Sequence, residues 1–481
     1  MVDLKRYAAA LLSAGLLLLS GTLAFAAGTE EGAAGEGLSG EMSVHLSNYT
    51  PGVVRGEGLE KLVEAQAIVD AYTQMHPGVS IEIRTDPEPV LEWVVTQLSG
   101  GTAPDILSVK NEWAYQYKDN NWFADLMPYL QEPNPYADGN AKWWDLFFEA
   151  TLRPKVQSNG ALYGLSIDLV ATGWVYNKAI FDELGIEVPT NWKEFFEIQA
   201  TLKDAGYIPY QTPHIDLLLD WTFVLFFEAT ALDIIEQIDA DGSGFSNHEE
   251  VARAVRNGTL NLNDPQQQEW LRLLKEWVPN WQSDWAAKTD WADFRLWTTG
   301  KAAIAWAGTW DLLSLVNDPL RDFDFGTFWF PPVTTDTSPY GTGKFVRGLG
   351  GAHATQLAIT ATAIEGGKTD LAVDFLRFLT VPERAIPMIE EANVLIPNIK
   401  GERSTDLLDG MISSITTEAG PGEQLVFFGF YDVQAGDIGR SKVAEILGGS
   451  VSIEEGAAQL QEILEAGVDR MVAANPDWGL K

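Results

Sequence analysis

The stretch that most limits what this chain can become is residues 160–178, Gly-Ala-Leu-Tyr-Gly-Leu-Ser-Ile-Asp-Leu-Val-Ala-Thr-Gly-Trp-Val-Tyr-Asn-Lys. A turn signal, Asn159-Gly160, leads into an apolar extended run from Leu162 to Leu169. Ala171-Thr172-Gly173 then loosens the backbone before a second apolar run, Trp174-Val175-Tyr176, which ends on Asn177-Lys178 ahead of a helical pattern. Two extended runs joined by small residues can carry a chain from one domain into another, because glycine absorbs the backbone rotation such a joint needs. At 481 residues the chain also exceeds one ordinary core, so two domains are expected.

Ahead of the joint, Met42, Val44 and Leu46 alternate as a half-buried strand. Leu59, Leu62, Val63, Val69 and Tyr72 fall at helical spacing, His76-Pro77-Gly78 stops that helix, and Val79, Ile81 and Ile83 alternate again. This is a β-α-β unit, so a parallel sheet is expected. Ligands of such sheets collect beyond the carboxyl ends of the strands. Asn48 and Tyr49 stand past the first strand, and Glu112 and Trp113 past the one ending near Val109. All four are therefore candidates to line a cleft, with a plain loop role as the alternative.

The run "G-x-L-Y-G-L-S-I-D … W-V-Y-N-K-A-I-F-D-E-L-G-I-E-V-P-T-N-W-K-E-F" resembles the crossover of the family 1 extracellular solute-binding proteins, the sugar-capturing components of ABC importers typified by the maltose-binding type. Further pieces resemble the family in order: "G-T-A-P-D-I", "T-G-K-A-A-I-A-W-A-G-T-W-D", "D-F-D-F-G-T-F-W-F-P-P-V", "G-G-A-H-A-T-Q-L-A-I-T" and "A-N-V-L-I-P-N". The resemblance implies a two-lobed α/β periplasmic-binding-protein fold of type II-like architecture. Each lobe would be a mostly parallel sheet flanked by helices, joined by a multi-strand hinge. The implied division is 41–167 and 327–391 for the N-lobe, and 168–326 and 392–481 for the C-lobe, with crossings near 167, 327 and 392. Trp310 occupies the family's ligand-stacking position, with Asp311 after it.

The ends and the charge set the compartment. Residues 1–27 read as a secretory signal: Lys5-Arg6, an apolar run from Ala8 to Leu19, and small residues around Ala24 and Ala26 for cleavage after Ala26 or Ala27. Residues 28–40 read as a Gly/Ala/Glu linker. There is no cysteine, so disulfides, cysteine metal sites and a lipid anchor on cysteine are excluded, and a periplasmic protein free of the membrane is expected. With Lys+Arg 32 and Asp+Glu 68, the net charge of −36 disfavours nucleic acid and anionic membrane surfaces. The expected partners are a small carbohydrate and the membrane subunits of an importer, with the protein itself a monomer.

A pyranose offers one C–H face to aromatic rings and a hydroxyl rim to carboxylates or amides. Three places pair those groups: Trp310-Asp311, Glu112-Trp113, and Asp168 near Trp174. Trp221, Tyr431 and His353 are weaker candidates, and most of the 18 tryptophans are expected in the core. No H-E-x-x-H, G-x-S-x-G or cysteine nucleophile is present, and Gly366-Gly367-Lys368-Thr369 lacks the first glycine of a phosphate loop. A binding protein is expected rather than an enzyme. The alternatives are the same fold holding a polyol, glycerol phosphate or a polyamine, and then a secreted glycoside hydrolase.

One insertion departs from the family pattern. Residues 239–250 read D-A-D-G-S-G-F-S-N-H-E-E, with Asp239, Asp241 and Ser243 at positions one, three and five of an EF-hand loop, Gly244 at six, the Phe245 carbonyl at seven and Glu250 at twelve. One structural Ca2+ away from the sugar is expected there, a solvated acidic turn being the alternative. Ser246 stands where an aliphatic residue usually pairs such loops.

Overall fold

The computed structural model describes residues 38–54, 60–86, 89–157, 159–240, 242, 246–288, 293–346, 354–392, 395–402, 407–416 and 432–480. The expected signal peptide and most of the linker lie outside these residues. Two sheets carry the fold. The first has the order β2-β1-β3-β10-β4, from Ser39–His45 (β1), Gly78–Ile83 (β2), Ile106–Ser108 (β3), Leu165–Ser166 (β4) and Gln356–Ile359 (β10). The second has the order β7-β8-β6-β9, from Thr172–Asn177 (β6), Ile208–Gln211 (β7), Ala302–Gly308 (β8) and Phe325–Phe328 (β9). Between them Asp168–Leu169 (β5) pairs antiparallel with Ile396–Pro397 (β11), Asp168 opposite Pro397.

Both faces of each sheet are buried. In the first half Val44, Ile106, Leu357 and Phe375 pack on one face, and Leu98, Leu107, Phe123 and Ala358 on the other. In the second half Trp174, Trp192, Trp277 and Trp306 belong to one cluster, and Val175, Ala305, Trp297 and Met411 to the other. The chain thus has two separately buried cores, as expected for a two-lobed α/β protein.

The sheets are more mixed than the β-α-β reading implied. β1 runs parallel to β2 and β3, but β10 lies antiparallel to β3 and β4 antiparallel to β10. In the second sheet only β7 and β8 are parallel. A strand that arrives across the joint enters its sheet from the far end, which reverses it. The return crossing also lies later than residue 327. β9 pairs with β6, and Trp329, Phe330, Val333 and Val346 pack in the second half's core, so the second half runs on at least to Val346.

Local signals end the helices as polar side chains dictate. Asn191 caps the helix Trp192–Asp204 by accepting the Glu194 N–H at 3.0 Å, while Thr190 donates its N–H and hydroxyl to the Glu194 carboxylate. Ser452 caps Ile453–Ala474, whose Leu460, Leu464, Val468 and Met471 are buried. The helix Glu64–Met75 starts later than the apolar pattern implies. Its first N–H groups, of Val63 and Glu64, are taken by the Glu391 carboxylate from a distant helix.

Candidate ligand-binding cleft

The first half contributes the loop beyond β1. An open cavity of about 610 Å3 is lined by Ser47, Asn48, Thr50, Pro51, Gly52, Val53, Thr85 and Asp86, just past the carboxyl ends of the parallel strands β1 and β2. Ser47 sits at φ +50, a left-handed conformation that costs a β-carbon-bearing residue energy and that gathers at functional sites. Asp86 is held by Arg84, with Nε 2.6 Å from Oδ2. Ser47, Thr50, Thr85 and Asp86 were not singled out in the sequence. The strand-end rule that pointed to Asn48 would have reached Thr85 and Asp86 if applied after Ile83.

The second half contributes the end of β8. Every residue of β8 is buried, and the helix Thr309–Val316 follows it directly. Trp310, in that helix's first turn, is half-buried. Its ring lies 5.5 Å from Trp221 and 6.0 Å from Trp306, tilted by 57° and 60°. Trp221, also half-buried, sits in a π-helical turn, Leu219–Phe223, an irregularity that frequently marks a functional site. Asp311 accepts the Gly308 N–H on Oδ2 at 2.9 Å, and its burial pushes its carboxyl up to about 6 despite that bond.

One segment fastens both contributions. Thr309 donates its N–H to the Ala171 carbonyl at 2.9 Å. Three residues earlier, Asp168 accepts the Tyr49 hydroxyl at 2.5 Å and the Thr355 N–H at 2.7 Å. The side chain of Asn48 donates to Thr355 Oγ1 at 3.2 Å. The loop of the first half and the aromatic turn of the second therefore meet on the crossover Asp168–Ala171.

Three of the expected site residues are buried. Asp168 is fully buried with both oxygens engaged, so it ties the joint together. Burial raises its carboxyl to about 6, against the lowering effect of the bonds from Tyr49 and Thr355. Tyr49 is 1% exposed and is spent on Asp168. Trp174 is core: it stacks on Phe195, packs edge-on against Trp277 and donates its indole N–H to Tyr210 at 2.5 Å. Side chains at alternate strand positions point to opposite faces, and Trp174 points into the interior of the second half.

The other candidates are placed as follows. Trp113 is half-buried in the helix Asn111–Gln116 beyond β3, with Lys110 Nζ 5.1 Å from its ring. Glu112 lies in the same helix, and its side chain is outside the described residues, as are His353 and Tyr431 altogether. Lys368 is spent on the buried Asp105, at 3.1 and 3.2 Å, so the glycine pair before it cradles no phosphate with this lysine.

Of the loop 239–250, Asp239 and Glu250 are described and buried; Asp241, Ser243 and Phe245 are outside the described residues. Glu250 closes a capping box at the start of His248–Asn257: it accepts the Asn247 N–H at 2.9 Å, and Asn247 Oδ1 accepts the Glu250 N–H at 3.0 Å. Helices Val224–Ile238 and His248–Asn257 flank the loop as an EF-hand reading requires. The described residues alone hold no group of three or more His, Asp or Glu side chains placed for a metal.

Among solved structures the chain is similar to the apo form of RafE from Streptococcus pneumoniae, at TM-score 0.64 and 16% identity, covering 91% of this chain and all of that one. It is similar to the bacterial solute receptor AcbH at TM-score 0.63 and 13% identity, over 91% of this chain and 98% of that one. At such identities the likeness is one of fold. Among curated proteins it is 21% identical to a multiple sugar-binding protein of Streptococcus mutans over 56% of this chain and 59% of that protein. It is 27% identical to a binding protein of Brucella abortus over 29% and 32%. The matches thus span between a third and three-fifths of those relatives' own length. Residues 55–386 match the family described as bacterial extracellular solute-binding protein. With that match over most of the chain and the two-core fold around a shared crossover, this protein belongs to the bacterial extracellular solute-binding protein family.

Proposed function

We propose that the protein captures a sugar or oligosaccharide between its two halves and delivers it to the membrane subunits of an ABC importer. The observation that carries this reading is the half-buried Trp310, beside Trp221 and Asp311, fastened to the same crossover as the polar loop Ser47–Thr50. Flat rings take a pyranose C–H face, while hydroxyls, amides and carboxylates take its rim. Relatives described as sugar-binding, and solved structures described with raffinose or with a preference for galactopyranose, support the class. Closure follows from differential affinity, since a ligand touching both halves does so only when they approach.

The protein acts by binding, without altering its ligand. It works outside the inner membrane as a monomer after removal of residues 1–27, and no helix among the described residues is long and apolar enough to cross a membrane. We further propose a structural Ca2+ in the loop 239–250, supported by the spacing of its oxygen donors and by the flanking helices. Isothermal titration against raffinose, maltotriose, xylotriose and chitotriose tests the ligand class. Binding of at least one, with the saccharide recovered intact, is expected. Silence across these sugars with binding of a polyol, glycerol phosphate or polyamine would move the ligand to that class, and cleaved product would make the protein a hydrolase.

A further inference from the structure

We infer that Gly308 is the seat of the Trp310 indole, a positioning residue for the aromatic surface of the cleft. Its functional meaning rests on the sugar-capture reading; its structural meaning rests on geometry alone. Gly308 is the residue immediately before the helix Thr309–Val316. That position favours Ser, Thr, Asp or Asn, whose side-chain oxygens accept an N–H of the first helical turn. The backbone does not account for a glycine there, because φ −89 and ψ 161 are extended values open to any residue.

Space accounts for it. A β-carbon on residue 308 would lie 2.2 Å from Cε2 of Trp310, 2.3 Å from Cζ2 and 2.5 Å from Cδ2. These distances are far inside the 3.5–4.0 Å at which carbon atoms pack. The indole of Trp310 folds back over the end of β8 and occupies the volume that any other residue's side chain would claim. Held there, it meets Trp221 and Trp306 on its flanks. A ring fixed before the ligand arrives loses little freedom on binding, which is how preorganisation contributes affinity. Asp311 takes the Gly308 N–H, the half of a capping box that needs no side chain at residue 308.

The test is a double-substitution cycle on the whole secreted chain with Gly308→Ala, Trp310→Ala and the pair. Near-ultraviolet circular dichroism is read without ligand, unfolding by urea, and titration with raffinose and maltotriose. Gly308→Ala is expected to keep the far-ultraviolet spectrum but lose the near-ultraviolet signal of the coupled Trp221, Trp306 and Trp310 rings. Affinity for whichever saccharide the natural protein binds should fall tenfold or more. In the Trp310→Ala background the same glycine substitution should leave stability unchanged, since the clash is gone. An unchanged near-ultraviolet spectrum in Gly308→Ala, or an equal loss of stability with and without Trp310, would overturn the inference. Should none of raffinose, maltotriose, xylotriose and chitotriose bind the natural protein, the sugar-capture reading falls, while the spectrum and the unfolding cycle still decide the seat.

Discussion

Trp174 and Trp310 look alike in the sequence, each near an acidic residue at one end of an apolar run, yet they do opposite work. Trp174 is 2% exposed and packed among Phe195, Tyr210 and Trp277, so Trp174→Ala should cost about 3–5 kcal/mol in urea unfolding. Trp310 is only half-buried, so Trp310→Ala should cost on the order of 1 kcal/mol in stability while removing saccharide binding. Equal losses of stability would mean that Trp310 is core as well. Asp168 is where pH enters. Its carboxyl is raised from the ordinary range to about 6, chiefly by burial. Between the unfolded value near 4 and that folded value, the native state holds more proton than the unfolded one, so stability contributed by the protonated group falls as pH rises. Relative to Asp168→Asn, which cannot ionise, the natural protein should lose up to about 3 kcal/mol between pH 4 and pH 6 and change little above pH 7. Parallel stability curves for the two proteins would refute this. Asp168 was legible as a crossover residue, but its role was not: only the approach of Tyr49 and Thr355, far apart in the chain, shows both carboxylate oxygens already taken.

At the scale of elements, signals within a few residues were readable and signals across the chain were not. The alternation of Met42, Val44 and Leu46 and the helix stop at His76-Pro77-Gly78 are local, and each appears in the fold. The cap of Glu64–Met75 comes from Glu391, which no window of sequence contains. The π-helical turn carrying Trp221 was equally hidden inside an apolar run from Leu219 to Leu232. The calcium proposal is testable at this scale because its twelfth position has two duties. Glu250 closes a capping box, a role that glutamine also fills, whereas bidentate calcium ligation needs the carboxylate. A chelator should lower the melting temperature of the natural protein, and Glu250→Gln should fold yet ignore the chelator. A melting temperature indifferent to chelator in the natural protein would leave the loop an acidic turn.

Among the described residues, the two buried cores are joined through the strands β5 and β11 and the segments around them. Small-angle scattering should therefore show the radius of gyration fall when a bound saccharide saturates the protein, toward the roughly 23 Å expected of a compact chain of this length. Superimposable curves with and without such a ligand would rule out closure. What the sequence determined alone was the part written in local chemistry: two α/β halves, a small-residue joint at 171–173, an aromatic residue and a carboxylate after β8, and the family itself. What only the tertiary structure decided was which of those groups face the cleft. Direction of approach settles that, and direction depends on contacts between residues hundreds of positions apart. Trp174 turned inward and Asp168 was consumed by Tyr49 and Thr355, while Ser47–Thr50 and Trp310 were brought to one crossover.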